Sequence, residues 1–509
     1  MENQIMRFKK MTRGKLAAFA ILGVLISCSA LSGGLEDGAV AYHKGDYQTA
    51  FTDWKPVAES GDPTAQGKLA SLYERGLGTP QDMKLAIYWY LKASENGSSF
   101  AQNNLAWLYD WGKGVPKDDI QAAMWATKAA AQGMPDAEQL IGELYIRGDG
   151  VNKDVNQGVA LLKIAGEHGD KDAQLELGDL FHAGTQVQQD DVQAVSWYRK
   201  AAENGMANAQ NILGTMLLKG MGTPKDVAEA ARWYRKAADQ NFALAQNNLG
   251  FMYLNGTGIE KDFALAAALF SKAAAKGNVN SQYFLGQQYF NGQGVPKDMA
   301  LAFNWFRTAA AQGDKRAQNM LGMMYFQGLG IAKDTAEALT WFRKAADQGE
   351  VTAQNNLGFM YLTGTGVEKD FTQAAELFSK AAAKGKMESQ FYLGTLYQSG
   401  QGVPKDFALA ASWYRKSSDQ EDSRAQNKLG LMYHEGSGVP KDEAEAAAWF
   451  RKAADHGDAN AQSNLGEMYL KGWGVYQDLA QAEIYFKKAA AQGNTQAKEH
   501  LEKLKGSGH

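Results

Sequence analysis

AQNNLGFMYLTGTGVEKDFTQAAELFSKAAAKGKME, residues 353–388, decides the fold. Ala353 and Leu357, four residues apart, are followed by an aromatic a further four on, and apolar residues at 0, 4 and 8 share one face of a helix. Gly358 stands inside that helix, where glycine costs about 1 kcal/mol relative to alanine. A glycine retained there implies a neighbour so close that a methyl group would clash. The Gly-x-Gly that follows ends the helix, its first glycine suiting the left-handed cap. Asp370 is then placed as the N-cap of a second helix, and a further glycine closes the unit. The stretch reads as an antiparallel helix pair with more apolar surface than one pair can bury.

The same unit recurs outward in both directions. Stepping by 36 from Ala65 gives Ala101, Ala137, Ala173, Ala209, Ala245, Ser281, Ala317, Ala353, Ser389, Ala425, Ala461 and Ala497 without a slip of register. Most are followed by Gln, with leucine four on (Leu69, Leu105, Leu249) and tyrosine eight on (Tyr73, Tyr109, Tyr145, Tyr253, Tyr325). An aspartate opens the second helix in all twelve units, from Asp82 to Asp478, and eight of them carry Glu or Gln three residues later, a capping-box pattern. Large rings between alanines, as in Ala86, Trp89-Tyr90, Ala93, make knobs and holes for neighbouring helices. The expected fold is therefore all-α, a right-handed α/α superhelix (solenoid) of 36-residue helix-turn-helix repeats. Its divisions are 1–27 signal peptide, 28–34 lipidated tether, 35–64 N-terminal capping helix pair, 65–496 twelve repeats, and 497–509 C-terminal capping helix and tail. Gln186 replaces the second glycine in the fourth repeat, so a local distortion is expected there.

Leu-Gly-x-x-Tyr, Gly-x-Gly-Val, Asp and Trp-Tyr-x-Lys-Ala-Ala, in that order and twelve times over, resemble the Sel-one-like repeat (SLR) family, relatives of tetratricopeptide repeats with a longer period. The resemblance covers residues 65–496. It implies a protein-binding adaptor: family members act in envelope complexes, in host contact and as antidotes to secreted toxins.

A second period overlies the first. Residues 245–280 and 353–388 agree at 28 of 36 positions, three repeats apart, and Asn211, Asn319 and Asn427 keep the same spacing of 108. Copying three-repeat blocks lengthens a scaffold easily and seldom builds one catalytic pocket.

The N-terminus is an address. Arg7, Lys9, Lys10, Arg13 and Lys15 precede an apolar run, Leu16 to Ile26. Eleven residues are too few to span a bilayer, which takes about 20, but they suit a secretory signal core. Leu25-Ile26-Ser27-Cys28 follows and resembles the lipobox of bacterial lipoproteins, with the chain's one cysteine where acylation needs it. Ser29 after it resembles lipoproteins sorted to the outer membrane. The alternatives are ordinary cleavage near Ala30, which leaves a soluble periplasmic or secreted protein, and an uncleaved anchor.

Composition excludes several chemistries. Beyond residue 27 there are 48 basic and 55 acidic residues with no basic stripe, so no nucleic-acid partner is expected. One cysteine allows neither an internal disulfide nor a cysteine-based metal site. The seven histidines lack paired ligand spacing, and the Gly-x-Gly loops keep the register of helix caps rather than phosphate cradles. No nucleophile motif or isolated carboxylate pair stands out, so no enzyme activity and no cofactor is expected.

Positions that escape the repeat pattern are the candidate site. The third and sixth residues after each starting alanine point away from the second helix, and several are unexpectedly apolar. If the first helices line the concave face, Trp107, Phe251, Phe284, Met323, Phe359 and Tyr392, with Trp111, form an aromatic groove. Asn103, Asn211, Asn247, Asn319 and Asn355 run beside it as an amide ladder. Such a surface takes an extended peptide or a partner's helix. The competing reading packs these side chains between adjacent repeats. The function expected is a non-enzymatic envelope scaffold binding a protein partner and tethered to the membrane by its lipid. The alternative is a periplasmic immunity protein neutralising a secreted, lipase-type toxin.

Overall fold

The computed structural model describes residues 33–506. The expected signal segment 1–27 and Cys28, the expected lipidation site, lie outside the described residues. Among the described residues the regular structure is helical, with no strand. Two units, one up to Ala245 and one from Gln246, each form an α/α solenoid of the same helix pair.

Lys315–Gln327 and Thr335–Asp347 show how one pair is made. The Asp314 carboxylate accepts the N–H groups of Arg316 and Ala317 and starts the first helix. Gly328 ends it at φ +73°, its N–H donating to Met324 O at 2.8 Å. Asp334 caps the second helix by accepting from Ala336 and Glu337. The capping-box expectation is met only by half. The Asp334 N–H donates to Tyr325 O at 2.9 Å, so it is not available to Glu337. The Glu337 carboxylate instead accepts from Trp341 Nε1 at 3.0 Å, as Glu445 does from Trp449 at 2.9 Å.

The glycine inside the first helix has the predicted cause. A Cβ on Gly358 would lie 2.9 Å from Cε1 of Phe378, a ring with no exposed surface on the second helix of the same pair. Gly322 and Gly430 meet Phe342 and Phe450 in the same way. The second glycine of the Gly-x-Gly joins one repeat to the last. At Gly402, φ +72°, a Cβ would sit 2.2 Å from the carbonyl of Phe371, the first residue of the preceding second helix. Gln186, in that slot of the fourth repeat, is not among the residues with positive φ, so the loop there departs from its siblings.

The glutamine after each starting alanine holds repeats together. Gln318 Nε2 donates to Ala310 O in the preceding second helix at 3.2 Å, and Gln318 Oε1 accepts from Gln348 Nε2, thirty residues on, at 2.8 Å. Gln282 and Gln102 make the same two bonds. In one repeat the pair becomes buried Glu138 with His168 Nδ1 at 2.8 Å. Each such bond contributes about 1 kcal/mol.

At the N-terminal end a helix over 33–43 packs on Tyr47–Glu59, where buried Trp54 donates its Nε1–H to Leu35 O at 3.1 Å. At the other end His500, on Thr495–Gly506, stacks on Phe486 at 4.7 Å.

Candidate interaction groove on the first helices

In the second unit, neighbouring first helices meet through their sixth and third residues. Phe251 lies 5.4 Å from Phe284, and Phe359 5.8 Å from Tyr392, ring centre to ring centre. Phe284 also stacks on Phe270, and Tyr392 on Phe378 at 5.1 Å. The third-position rings therefore pack on the preceding second helix while an edge stays open. Phe251 is 44% exposed.

A cavity of about 550 Å³ opens on this face across Val279–Asn291, Lys315–Gln327, Val351–Thr363 and Met387–Ser399. It brings together Asn319, Met323, Asn355, Phe359 and Tyr392 of the residues expected from sequence, with Met320 beside them. Asn247, Phe251 and Phe284 belong to the same unit but do not line this cavity. Asn103, Trp107, Trp111 and Asn211 belong to the other unit.

The amides divide into two kinds. Asn103, Asn211 and Asn319 are buried, Asn319 alone of the three lining the cavity, and the Asn103 Oδ1 has no partner among the described residues. Asn319 Oδ1 accepts from Asn356 Nδ2 at 3.1 Å. Asn247 and Asn355 are half-buried, each accepting from the serine that starts the next repeat, Ser281 at 3.0 Å and Ser389 at 2.9 Å.

Several lining residues were missed from sequence. Arg316 lies over the Tyr283 ring at 4.3 Å and grips the Asp314 carboxylate. That contact holds its guanidinium more firmly charged than usual, against the opposing effect of burial. Burial pushes the Tyr283 phenol up. Burial also works against the charge on Glu388, but its own backbone N–H and Lys386 at 3.0 Å outweigh it and hold the carboxyl below its usual range. The signal for the arginine was the spacing of 108: Arg424 repeats the arrangement, 4.4 Å over Phe391 and paired with Asp422 at 2.9 Å.

In the first unit the face of the first helices is different. Trp107 and Trp111 pair at 4.9 Å, with Trp111 64% exposed. At the next junction the sixth and third positions are carboxyls, Glu143 and Glu176. Burial, then the neighbouring Glu143, pushes Glu176 up to about 8. Arg147 pairs with Glu143, Asp110 and Asp149. Among the described residues no cluster of His, Cys, Asp and Glu could hold a metal ion, and no helix is long and apolar enough to cross a membrane.

This architecture defines an α/α repeat scaffold, and the family model for the Sel1 repeat matches it in twelve segments from 63–98 to 459–494. The chain belongs to the Sel1 repeat family. Among solved structures it resembles a protective antigen present in uropathogenic Escherichia coli strains that displays the SLR fold. The two are 37% identical over 88% of this chain and 97% of that one, with a TM-score of 0.80. A Sel1 repeat protein from Oxalobacter formigenes is 35% identical over 61% of this chain and 89% of that one, with a TM-score of 0.47. An immunity protein of Pseudomonas aeruginosa is 21% identical over 42% of this chain and 81% of that one, with a TM-score of 0.28, a likeness of fold that carries no role across. No curated protein matches the chain. A Sel1 repeat scaffold is suited to protein–protein interaction, and such proteins are generally non-enzymatic.

Proposed function

We propose that this protein is a non-enzymatic scaffold of the bacterial cell envelope, exported by its N-terminal segment, tethered through lipid on Cys28, and binding a protein partner on its first-helix face. The observation that carries the binding reading is the second unit's cavity. Met323 and Phe359 stand at positions where the repeat itself accepts Gln287 or Thr395, so packing does not demand a large apolar side chain there. Large apolar and aromatic residues in a half-open cavity are the usual anchors of an interface.

The test is capture of a partner from native envelope with the mature chain, beside its Phe359→Ala and Met323→Ala variants. Both variants should melt close to the parent while capture falls, because interface truncations of this kind cost about 2 kcal/mol or more of binding. Undiminished capture by both would remove this groove from the interface. For the tether, Cys28→Ala should move the protein from the membrane fraction to the soluble periplasm, since stable anchoring needs more than one acyl chain. A mature, unlipidated N-terminus at Leu31 or Gly33 would exclude it.

A further inference from the structure

Resting on that binding reading, we propose that the cavity takes an extended segment of the partner. One peptide unit of it sits between Asn355 and Asn356, a large apolar side chain lies against Met320, Met323 and Phe359, and a basic residue faces Glu350.

The polar half of the argument is a count of donors and acceptors. Asn355 and Asn356 are adjacent, half-buried and both line the cavity. Ser389 occupies the Asn355 carbonyl and Asn319 occupies the Asn356 amide nitrogen. That leaves an N–H donor on Asn355 beside a carbonyl acceptor on Asn356, neither with a partner among the described residues. An extended chain offers the matching acceptor and donor at every residue, whereas a helix has already satisfied its own. An occupant that is helical or purely apolar would bury this pair unpaired.

The apolar half selects a side chain. Methionine thioethers are flexible and adapt to aliphatic or aromatic shapes. Tyr392 already stacks on Phe378, and Arg316 covers Tyr283, so one face of each of these two rings is engaged and the methionines with Phe359 make the open apolar surface.

The charged part selects the neighbour. Arg316 is matched by Asp314 and Glu388 by Lys386. Glu350 caps its helix by accepting from Ala353 N and has no ion pair among the described residues. One uncompensated carboxylate favours Lys or Arg on the partner.

The probe is the capped peptide acetyl-Gly-Ser-Lys-Leu-Ser-Gly-amide, titrated into the mature chain carrying ¹³C-methyl methionine. The Met320 and Met323 methyl signals should move saturably. Methylating the leucine nitrogen should weaken binding about fivefold by removing one hydrogen bond, and a Glu-Leu peptide should bind more weakly than Lys-Leu. Glu350→Gln, checked for an unchanged melt, should abolish that Lys-over-Glu preference. If no peptide moves these signals, if the N-methyl peptide binds as well as its parent, or if chitotetraose moves them and the peptides do not, the inference is overturned. Any of those results beside Phe359-dependent partner capture leaves the scaffold reading intact. Capture indifferent to Phe359→Ala, by contrast, fails the groove itself.

Discussion

Gly358→Ala sets two opposed effects against each other at one carbon atom. Alanine gains about 1 kcal/mol over glycine inside a helix. The new methyl would lie 2.9 Å, 3.0 Å and 3.2 Å from Cε1, Cδ1 and Cζ of Phe378, against an ordinary carbon–carbon contact of about 3.5–4.0 Å. Phe378 has no exposed surface, so its ring cannot turn out to water. Overpacking of this kind costs about 1–3 kcal/mol, so the variant should be destabilised on balance, by about 1 kcal/mol. The middle rather than the top of the overpacking range is used because Ala70 faces the equally buried Tyr90 in the first repeat, showing that the helix spacing can adjust. In a Phe378→Leu background the clash is relieved and the same substitution should stabilise, giving a coupling of about 2 kcal/mol. Array stability is a sum of repeat and interface terms. The cycle is therefore best read by amide exchange within Val351–Thr363 and Phe371–Ala383, with urea midpoints beside it. A Gly358→Ala protein more stable than its parent, or a coupling below about 0.5 kcal/mol, would refute the claim that the glycine is there to admit the ring.

Three further outcomes follow from the same structure. Gly402→Ala places a Cβ 2.2 Å from the Phe371 backbone at positive φ and should cost about 3 kcal/mol or more; Gly385→Ala, also at positive φ but with nothing within 4 Å, should show only the smaller backbone cost in the same urea titration. Gln318→Met removes the bonds to Ala310 O and from Gln348 and should lower stability by about 2 kcal/mol, with faster amide exchange at that joint; an unchanged exchange rate there would mean the ladder is incidental. Glu176 takes up its proton more readily folded than unfolded, so its contribution is present at low pH and is lost as pH rises from the ordinary carboxylate range through about 8. Glu176→Gln should flatten that part of a melting-temperature against pH curve, and an unchanged slope would count against the shared burial with Glu143.

The helix pair was legible because its determinants repeat in one register. Leu357, Gly358, Asp370 and the first glycine of the Gly-x-Gly act within one repeat, and twelve copies make a weak local signal unmistakable. What acts between units was hidden. The glutamine after the starting alanine was visible in the sequence, but its partners stand eight residues back, in the preceding repeat's second helix, and thirty residues on, just past its own repeat's second helix, and the stagger of the helices is needed to connect them. Glu138 and His168 held the clue: where the amide becomes a carboxylate, its partner becomes a histidine. Gln354 shows the converse. Lys384 stands in the partner's place and bonds Gly349 O instead, and the Gln354 Oε1 is left buried without a partner.

The groove was legible only in part, for a reason that lies in the second helix. Where its central ring is tyrosine, the hydroxyl reaches the sixth position of the first helix and needs a polar group there: Tyr198 donates to Asp179 at 2.6 Å, Tyr234 pairs with Thr215 at 2.9 Å, and Tyr414 donates to Thr395 at 3.2 Å. Where the ring is phenylalanine no such demand exists, and Phe251, Met323 and Phe359 stand opposite Phe270, Phe342 and Phe378. Phe270, Phe306, Phe342 and Phe378 mark four consecutive repeats of this kind, and Phe342 lines the cavity. One oxygen atom per repeat thus decides whether a junction must be polar, while the alanine, leucine and glycine positions that build the solenoid stay the same. The fold is fixed by one set of positions and the surface chemistry by another. This is why periodicity alone found the scaffold, and why the site had to be sought at the residues that break the pattern.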